Sequence, residues 1–187
     1  CHLDGSLRPE TMLDLGRAYG RPMPEAAADA LRAHMRVDDA RHLEDYLARF
    51  ETTLSVMQSA EALERIAYEL GADAAADGVR YLEARFAPWL NTREGLSQAD
   101  AVRAAAAGLR RAEAEFGVVG RIIVCALRHL DLAHAMEAAE LAVALRDEGV
   151  VGFDLAGGER GNPASRFAEA FRHAREHDLA VTCHAGE

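Results

Sequence analysis

The sequence predicts an α/β chain on a parallel sheet, read as an incomplete (β/α)8 TIM barrel comprising about the first five strands. Three observations predict it. Helical and short apolar strand patterns alternate from about residue 60 onward. A new strand comes roughly every 30 to 40 residues, which leaves room for one crossover helix each time. Asp4, Arg85, Arg128, Asp154 and His184 all fall near strand C-terminal ends, the face on which barrel enzymes keep their sites. The first two observations also suit an open doubly wound sheet; the third favours the barrel.

The elements follow in order. A strand stub ends at His2, and a helical insertion occupies about residues 10–58. Within it Leu13 to Tyr19 and Asp39 to Met57 read as helices, separated by Pro22 and Pro24. The insertion is long enough to lie over a barrel mouth. Leu43, Tyr46, Leu47, Phe50 and Leu54 give it an apolar stripe that either packs on the barrel or lines a pocket. Ser59 can cap a helix whose Leu63, Ile66, Ala67, Leu70 and Ala74 keep helical spacing up to Gly78. The segment from Val79 to Phe86 is the next strand. Ser97 and Asp100 resemble a capping box and open a helix carrying Val102, Ala106, Leu109 and Phe116, ended by Gly117. The stretch from Val118 to Leu127 is the most β-branched in the chain. A third helix shows Leu132, Met136, Ala139 and Val143 on one face and stops at Gly149. The segment from Val150 to Leu155 is a strand, and Asn162-Pro163 starts a helix with Phe167, Ala170, Phe171 and Ala174 inside. Leu179 to Cys183 is the last strand.

Half of the 187 residues are hydrophobic and few are aromatic, which suits a helix-rich α/β domain. A formal charge of −10 argues against a surface for nucleic acid or anionic membrane. No signal peptide pattern is present, and no apolar run reaches the 18 or so residues of a membrane span. The odd cysteine count and the strand placement of Cys1, Cys125 and Cys183 predict reduced, buried thiols in a cytoplasmic protein. The chain lacks an initiator methionine, opens on one motif and closes on another. It therefore reads as a piece of a longer protein: residues 1–187 form one partial barrel domain, with strands six to eight absent, against about 250 residues for a full barrel.

Chemistry concentrates at the two ends. His2 and Asp4 stand two apart, so on a strand they share a face. His184 closes an apolar strand and is followed by Ala-Gly-Glu, a small-residue turn that leaves His184 and Glu187 accessible. Neutral imidazole is the commonest metal ligand, and a neighbouring glutamate can move protons for a metal-activated water. Each motif alone has an ordinary structural reading, a capping Asp or a hydrogen-bonded histidine. His34, His42, His134, His173 and His177 have no partners at ligand spacing and read as solvated surface. For His129, which follows Arg128, a structural hydrogen bond is the expectation.

Six stretches, taken in order, change the reading. They are His2–Thr11 (His-Leu-Asp-Gly-Ser-Leu-Arg-Pro-Glu-Thr), Tyr46–Phe50, Tyr81–Pro88 (Tyr-Leu-Glu-Ala-Arg-Phe-Ala-Pro), Cys125–His129, Gly152–Gly157 (Gly-Phe-Asp-Leu-Ala-Gly) and the final Cys-His-Ala-Gly-Glu. Together they resemble the adenosine deaminase family of the amidohydrolase superfamily. The resemblance implies a zinc-dependent aminohydrolase converting adenosine or 2′-deoxyadenosine to the inosine product and ammonia, with one zinc ion per subunit. It implies that His2 and His184 are metal ligands, and that Asp4 holds the ribose 5′-hydroxyl. The Gly157 backbone would approach the purine, and Glu187 would protonate purine N1. Leu43, Tyr46 and Phe50 would form an apolar lid. The implied partner is a small purine nucleoside; oligomeric state is left open.

Departures from the family pattern matter as well. The first histidine of the family's His-x-His pair falls before Cys1, and its later histidine and Asp-Asp pair belong to strands six and eight. Gly158 stands where the family usually has aspartate. The chain as it stands is therefore expected to bind metal poorly and to be inactive. Alternatives are a deaminase of adenine or another 6-aminopurine nucleoside, or a non-catalytic purine-binding homologue. Phosphorylated substrates are not expected, since no basic cluster is evident near the strand ends.

Overall fold

A computed structural model describes residues 1–36 and 43–186, with the side chains of residues 43–48 left aside. Four strands form one sheet: β1 (Tyr81–Phe86), β2 (Val119–Leu127), β3 (Val150–Ala156) and β4 (Ala180–Val181). All pairings are parallel, in the order β1-β2-β3-β4. His2 adds a parallel bridge to Arg85 on the outer side of β1, where Leu3 N–H donates to Arg85 O (2.9 Å) and Arg85 N–H to Cys1 O (2.8 Å). Five chain segments thus lie side by side in sequence order. A doubly wound sheet reverses its strand order at a switch point, and no reversal occurs among the described residues. The architecture is the α/β, parallel-sheet portion of a barrel that the polar residues at the strand ends favour.

Between His2 and β1 run α1 (Pro9–Ala18), α2 (Ala28–Met35), α3 (Leu43–Leu54) and α4 (Ala60–Ala76). Helix α1 begins earlier than the expected Leu13 because Pro9 occupies its first position, where a missing N–H costs nothing. The pattern reading missed α2, an eight-residue helix that buries only Leu31. Of the expected helix from Asp39 to Met57, the part before residue 43 lies outside the described residues, and α3 ends at Leu54. Ser59 caps α4 by accepting from Ala62 N–H. Ser97 caps α5 (Gln98–Phe116) by accepting from Asp100 N–H (3.1 Å) while its hydroxyl donates to the Asp100 carboxylate (2.7 Å). The Ser97 cap forms as expected, but Asp100 accepts from the Ser97 hydroxyl rather than from its backbone N–H, so the expected capping box is only half formed.

Helix α6 (Leu132–Ala144) presents a different face from the expected one. His134, Ala135, Ala138, Ala139 and Ala142 are buried, while Leu132, Met136 and Val143 flank them, partly buried. Alanines let the helix backbone approach the sheet, so the small residues take the centre and the larger ones the margins. The last helix, α7 (Ala168–Glu176), starts five residues after Pro163, because Ala164–Phe167 is a 3-10 turn. Phe167 of that turn and Ala170 and Ala174 of α7 are fully buried as predicted, while Phe171, expected on the same face, is only partly buried. Strand β4 is two residues, shorter than Leu179 to Cys183. No helix among the described residues is long and apolar enough to cross a membrane.

Candidate active site

The sheet brings the two ends of the chain together at the C-terminal ends of its strands. His2 is held by its bridge to Arg85 at the end of β1, and His184 by its N–H to Leu155 O (3.1 Å) just past β4. Their Nε2 atoms stand 2.9 Å apart, with the rings edge to face at 5.0 Å between centroids. Two ligands of a tetrahedral zinc ion, each about 2.0–2.1 Å from it, stand roughly 3.3 Å apart. An opening of a few tenths of an ångström would let these two nitrogens take two positions of such an ion. Among the described residues no group of three His, Cys, Asp or Glu side chains is placed to hold a metal. The pair alone fits part of a ligand set.

Asp4 reaches the same place by a route other than the one expected. The chain turns immediately after His2, with Ser6 Oγ and Ser6 N–H both donating to Leu3 O, so Asp4 is not on a continuing strand. The turn still folds its carboxylate back to 3.7 Å from His2 Nδ1. Asp4 Oδ1 is buried and has no hydrogen-bond partner, an arrangement that costs free energy until a donor arrives.

A cleft of about 410 Å³ opens over these groups, lined by His2, Asp4, His184, Phe50 and Gly157 among others. That volume suits a small organic ligand. Leu54 and Phe86 extend its apolar wall, and Trp89 and Leu90 join from the loop after β1. Gly157 follows β3 at φ +91°, a conformation that disfavours a side chain, and a Cβ there would stand 3.5 Å from His129 Nδ1. Phe50 comes from the last turns of α3, so the insertion does contribute to the cleft. The side chains of Leu43 and Tyr46, and Glu187 as a whole, lie outside the described residues.

A second cavity of about 250 Å³ shares Asp4 and Phe50 with the cleft and is lined also by Arg32, Arg36 and Arg49. The expectation that no basic cluster lies near the strand ends is corrected: Arg32 and Arg36 stand four apart at the end of α2, and Arg49 joins them only through the fold of the insertion. Arg32 is drawn to Glu10 (3.5 Å), and Arg49 Nη1 lies 2.8 Å from His34 Nε2.

Sequence reasoning assigned no role to a polar group beneath the histidines. Asp154 on β3 is fully buried. It accepts from Arg85 Nη1 (3.2 Å), Thr182 Oγ1 (2.8 Å) and the Cys125 thiol (3.5 Å). Its Oδ2 also lies 2.8 Å from His184 Nδ1, outside hydrogen-bond alignment. An aspartate inside an apolar strand was the available signal. Arg128, also almost wholly buried, donates to Asn162 O (2.9 Å) and to His184 O, fixing the loops after β3 and β4. Glu159 accepts from Gly186 N–H (2.8 Å) and ties down the turn after His184.

Two further expectations change. Of the cysteines only Cys125 is buried; Cys1 and Cys183 are exposed. Burial, with Asp154 beside it, holds the Cys125 thiol well above its ordinary pKa, so it stays a neutral thiol in the cleft wall. His134 is not on the surface but buried under Trp89, with ring centroids 5.5 Å apart. His42 lies outside the described residues.

A family model described as adenosine deaminase matches residues 1–187, the whole chain. The chain belongs to the adenosine deaminase family. It is 45% identical over 193 residues to an adenosine deaminase of Mycobacterium marinum, covering all of this chain and 53% of that one. Among solved structures, an adenine deaminase from Arthrobacter aurescens superposes with a TM-score of 0.87 at 28% identity, over 99% of this chain and 55% of that one. An amidohydrolase from Burkholderia ambifaria with bound Zn superposes with a TM-score of 0.84 at 31% identity, over 100% of this chain and 50% of that one. The chain spans about half the length of these relatives.

Proposed function

We propose that this chain carries part of the active site of a zinc-dependent deaminase acting on adenosine or 2′-deoxyadenosine. The observation that carries the reading is the convergence of His2 and His184, 182 positions apart, at 2.9 Å in a ligand-sized cleft. His2 and His184 hold the metal. A bound zinc ion supplies a water-derived nucleophile at neutral pH. Asp4, with an unpartnered buried oxygen, accepts a hydrogen bond from the sugar 5′-hydroxyl and so fixes the nucleoside's register. The backbone at Gly157 passes close to the purine edge because no side chain intervenes. Phe50, with Leu43 and Tyr46 on the same helix, acts as a lid that keeps bulk water from the ring. Glu187 delivers a proton to N1, which draws electron density from C6 so that the oxygen of water adds there; that task requires an acid held neutral until it donates. The C6–N bond then breaks as the amino group takes up the proton given by that water and leaves as ammonia.

We place the enzyme in purine metabolism, as a cytoplasmic protein. The free carboxylate oxygen of Asp4 favours a nucleoside over a free base. The arginine-lined cavity beside Asp4 supports a second reading, in which a 5′-phosphate is accepted.

The test is ammonia release by the natural gene product, loaded with zinc, from adenosine, adenine, AMP and a second 6-aminopurine nucleoside in parallel. Adenosine should be turned over with the highest kcat/KM. Turnover of adenine or AMP without adenosine would defeat the nucleoside assignment, and no turnover of any would leave a purine-binding role.

A further inference from the structure

We propose that Asp154 is the positioning residue for His184: its carboxylate takes the Nδ1 hydrogen and so directs the Nε2 lone pair at the metal. The inference rests on the metal reading above for its consequence, but not for its geometry.

An imidazole used as a metal ligand through Nε2 must be neutral, with its hydrogen on Nδ1. Nothing intrinsic to the ring enforces that choice, so a fixed acceptor beside Nδ1 has to. His184 Nδ1 is buried and has no hydrogen-bond partner in its present alignment, yet Asp154 Oδ2 lies 2.8 Å from it. Alignment, not distance, separates this contact from a hydrogen bond. Asp154 itself is not free to turn away. Thr182 Oγ1 holds Oδ1 at 2.8 Å, while Arg85 and the Cys125 thiol approach Oδ2 at 3.2 and 3.5 Å. These four groups come from β1, β2, β3 and the segment after β4, so the sheet itself sets the direction of the carboxylate.

Arg85 has a double part. Its main chain bridges to His2 and its guanidinium supplies the counter-charge for Asp154. The same residue therefore registers both histidines. A second consequence follows at the 2.9 Å Nε2 to Nε2 contact. Only one hydrogen can lie between those nitrogens. If His184 carries its hydrogen on Nδ1, the shared one belongs to His2 Nε2, and it must move to His2 Nδ1, on the side of Asp4, when a cation binds at Nε2.

The experiment uses the natural gene product, stripped of metal and labelled with 15N at histidine. At a pH above ring titration, the ring nitrogens of His184 should report the Nδ1–H tautomer and those of His2 the Nε2–H tautomer. An Nε2–H tautomer at His184 overturns the inference, whatever the protein does with zinc. Zinc affinity is then measured by competition with a chromophoric chelator. Asp154→Asn keeps the shape but weakens the acceptor, and should loosen zinc by about 10- to 100-fold. Thr182→Val removes the bond to Oδ1 but leaves Arg85 and the Cys125 thiol on Oδ2, the oxygen that faces His184, so it should change zinc affinity by less than about threefold. Unchanged affinity in Asp154→Asn, or equal losses in both variants, would mean that Asp154 is packing and nothing more. If the unsubstituted protein binds no zinc, the metal reading fails separately, and the tautomer decides the positioning claim alone.

Discussion

Substituting Gly108 by alanine tests the packing that carries the sheet. Gly108 lies in mid α5 where that helix crosses α4, and both helices are buried there through Leu63, Ile66 and Ala67 on one side and Ala105, Leu109 and Ala112 on the other. A Cβ at position 108 would stand 2.1 Å from Glu64 O, 2.8 Å from Tyr68 N and 2.9 Å from Ala67 Cβ. Carbon–oxygen contacts of this kind ordinarily sit at roughly 3.3 Å or more, so the helices must part by about 1 Å. A gap of that size forfeits a quarter to a half of each affected dispersion contact. Overpacking of this type costs about 1–3 kcal/mol, with a backbone clash at the upper end. Alanine returns about 1 kcal/mol of helix propensity. The net loss should be about 2 kcal/mol, or roughly 4–8 °C in Tm for a domain of this size.

Thermal unfolding of Gly108→Ala by circular dichroism, beside the parent, reads that difference directly. Gly158→Ala is the control, since a Cβ there meets nothing within 4 Å and its backbone is not left-handed; it should stay within about 0.5 kcal/mol. A Gly108→Ala protein as stable as the parent would refute the close crossing of α4 and α5.

Two further outcomes are expected. Burial holds the His134 imidazole below its ordinary pKa of 6.5, against the opposing pull of Glu137 and Asp131. The unfolded chain then takes up the proton first as pH falls. Stability is therefore full above about pH 6.5 and declines below it until the folded ring also protonates. In His134→Leu the slope of Tm between pH 7 and 5 should flatten, and an unchanged slope would show that this ring is not the acid-sensitive group. Asp4→Ala removes the acceptor proposed for the sugar hydroxyl. A hydrogen bond to a charged group is worth about 1.5–3 kcal/mol, so kcat/KM for adenosine should fall roughly 10- to 100-fold. Adenine, lacking that hydroxyl, should lose far less, and equal losses would remove the role.

Much of the fold was legible because it is local. Periodic apolar residues, the Ser59 and Ser97 caps and the β-branched run of β2 act within a few positions of one another. The misreadings came where distant groups decide. Helix α6 buries its alanines because the sheet sits close, and His134 is buried because Trp89, 45 positions earlier, folds over it. Asp4 arrives by a turn, since Leu3 O offers acceptance to Ser6 where strand pairing would otherwise continue. Of the arginines of the second cavity, Arg32 and Arg36 stand four apart at the end of α2, and Arg49 joins them only through the fold of the insertion.

By itself, the order of residues determined the alternation of helices with strands and placed histidines at two strand ends. Local hydrogen bonding and side-chain periodicity suffice for that. Only the tertiary structure decided that His2 and His184 face each other, and that Arg85 and Thr182 close around the Asp154 carboxylate beside one imidazole nitrogen. Parallel pairing sets those positions, because each strand's register depends on a neighbour about 30 residues away and on every crossover packed between them.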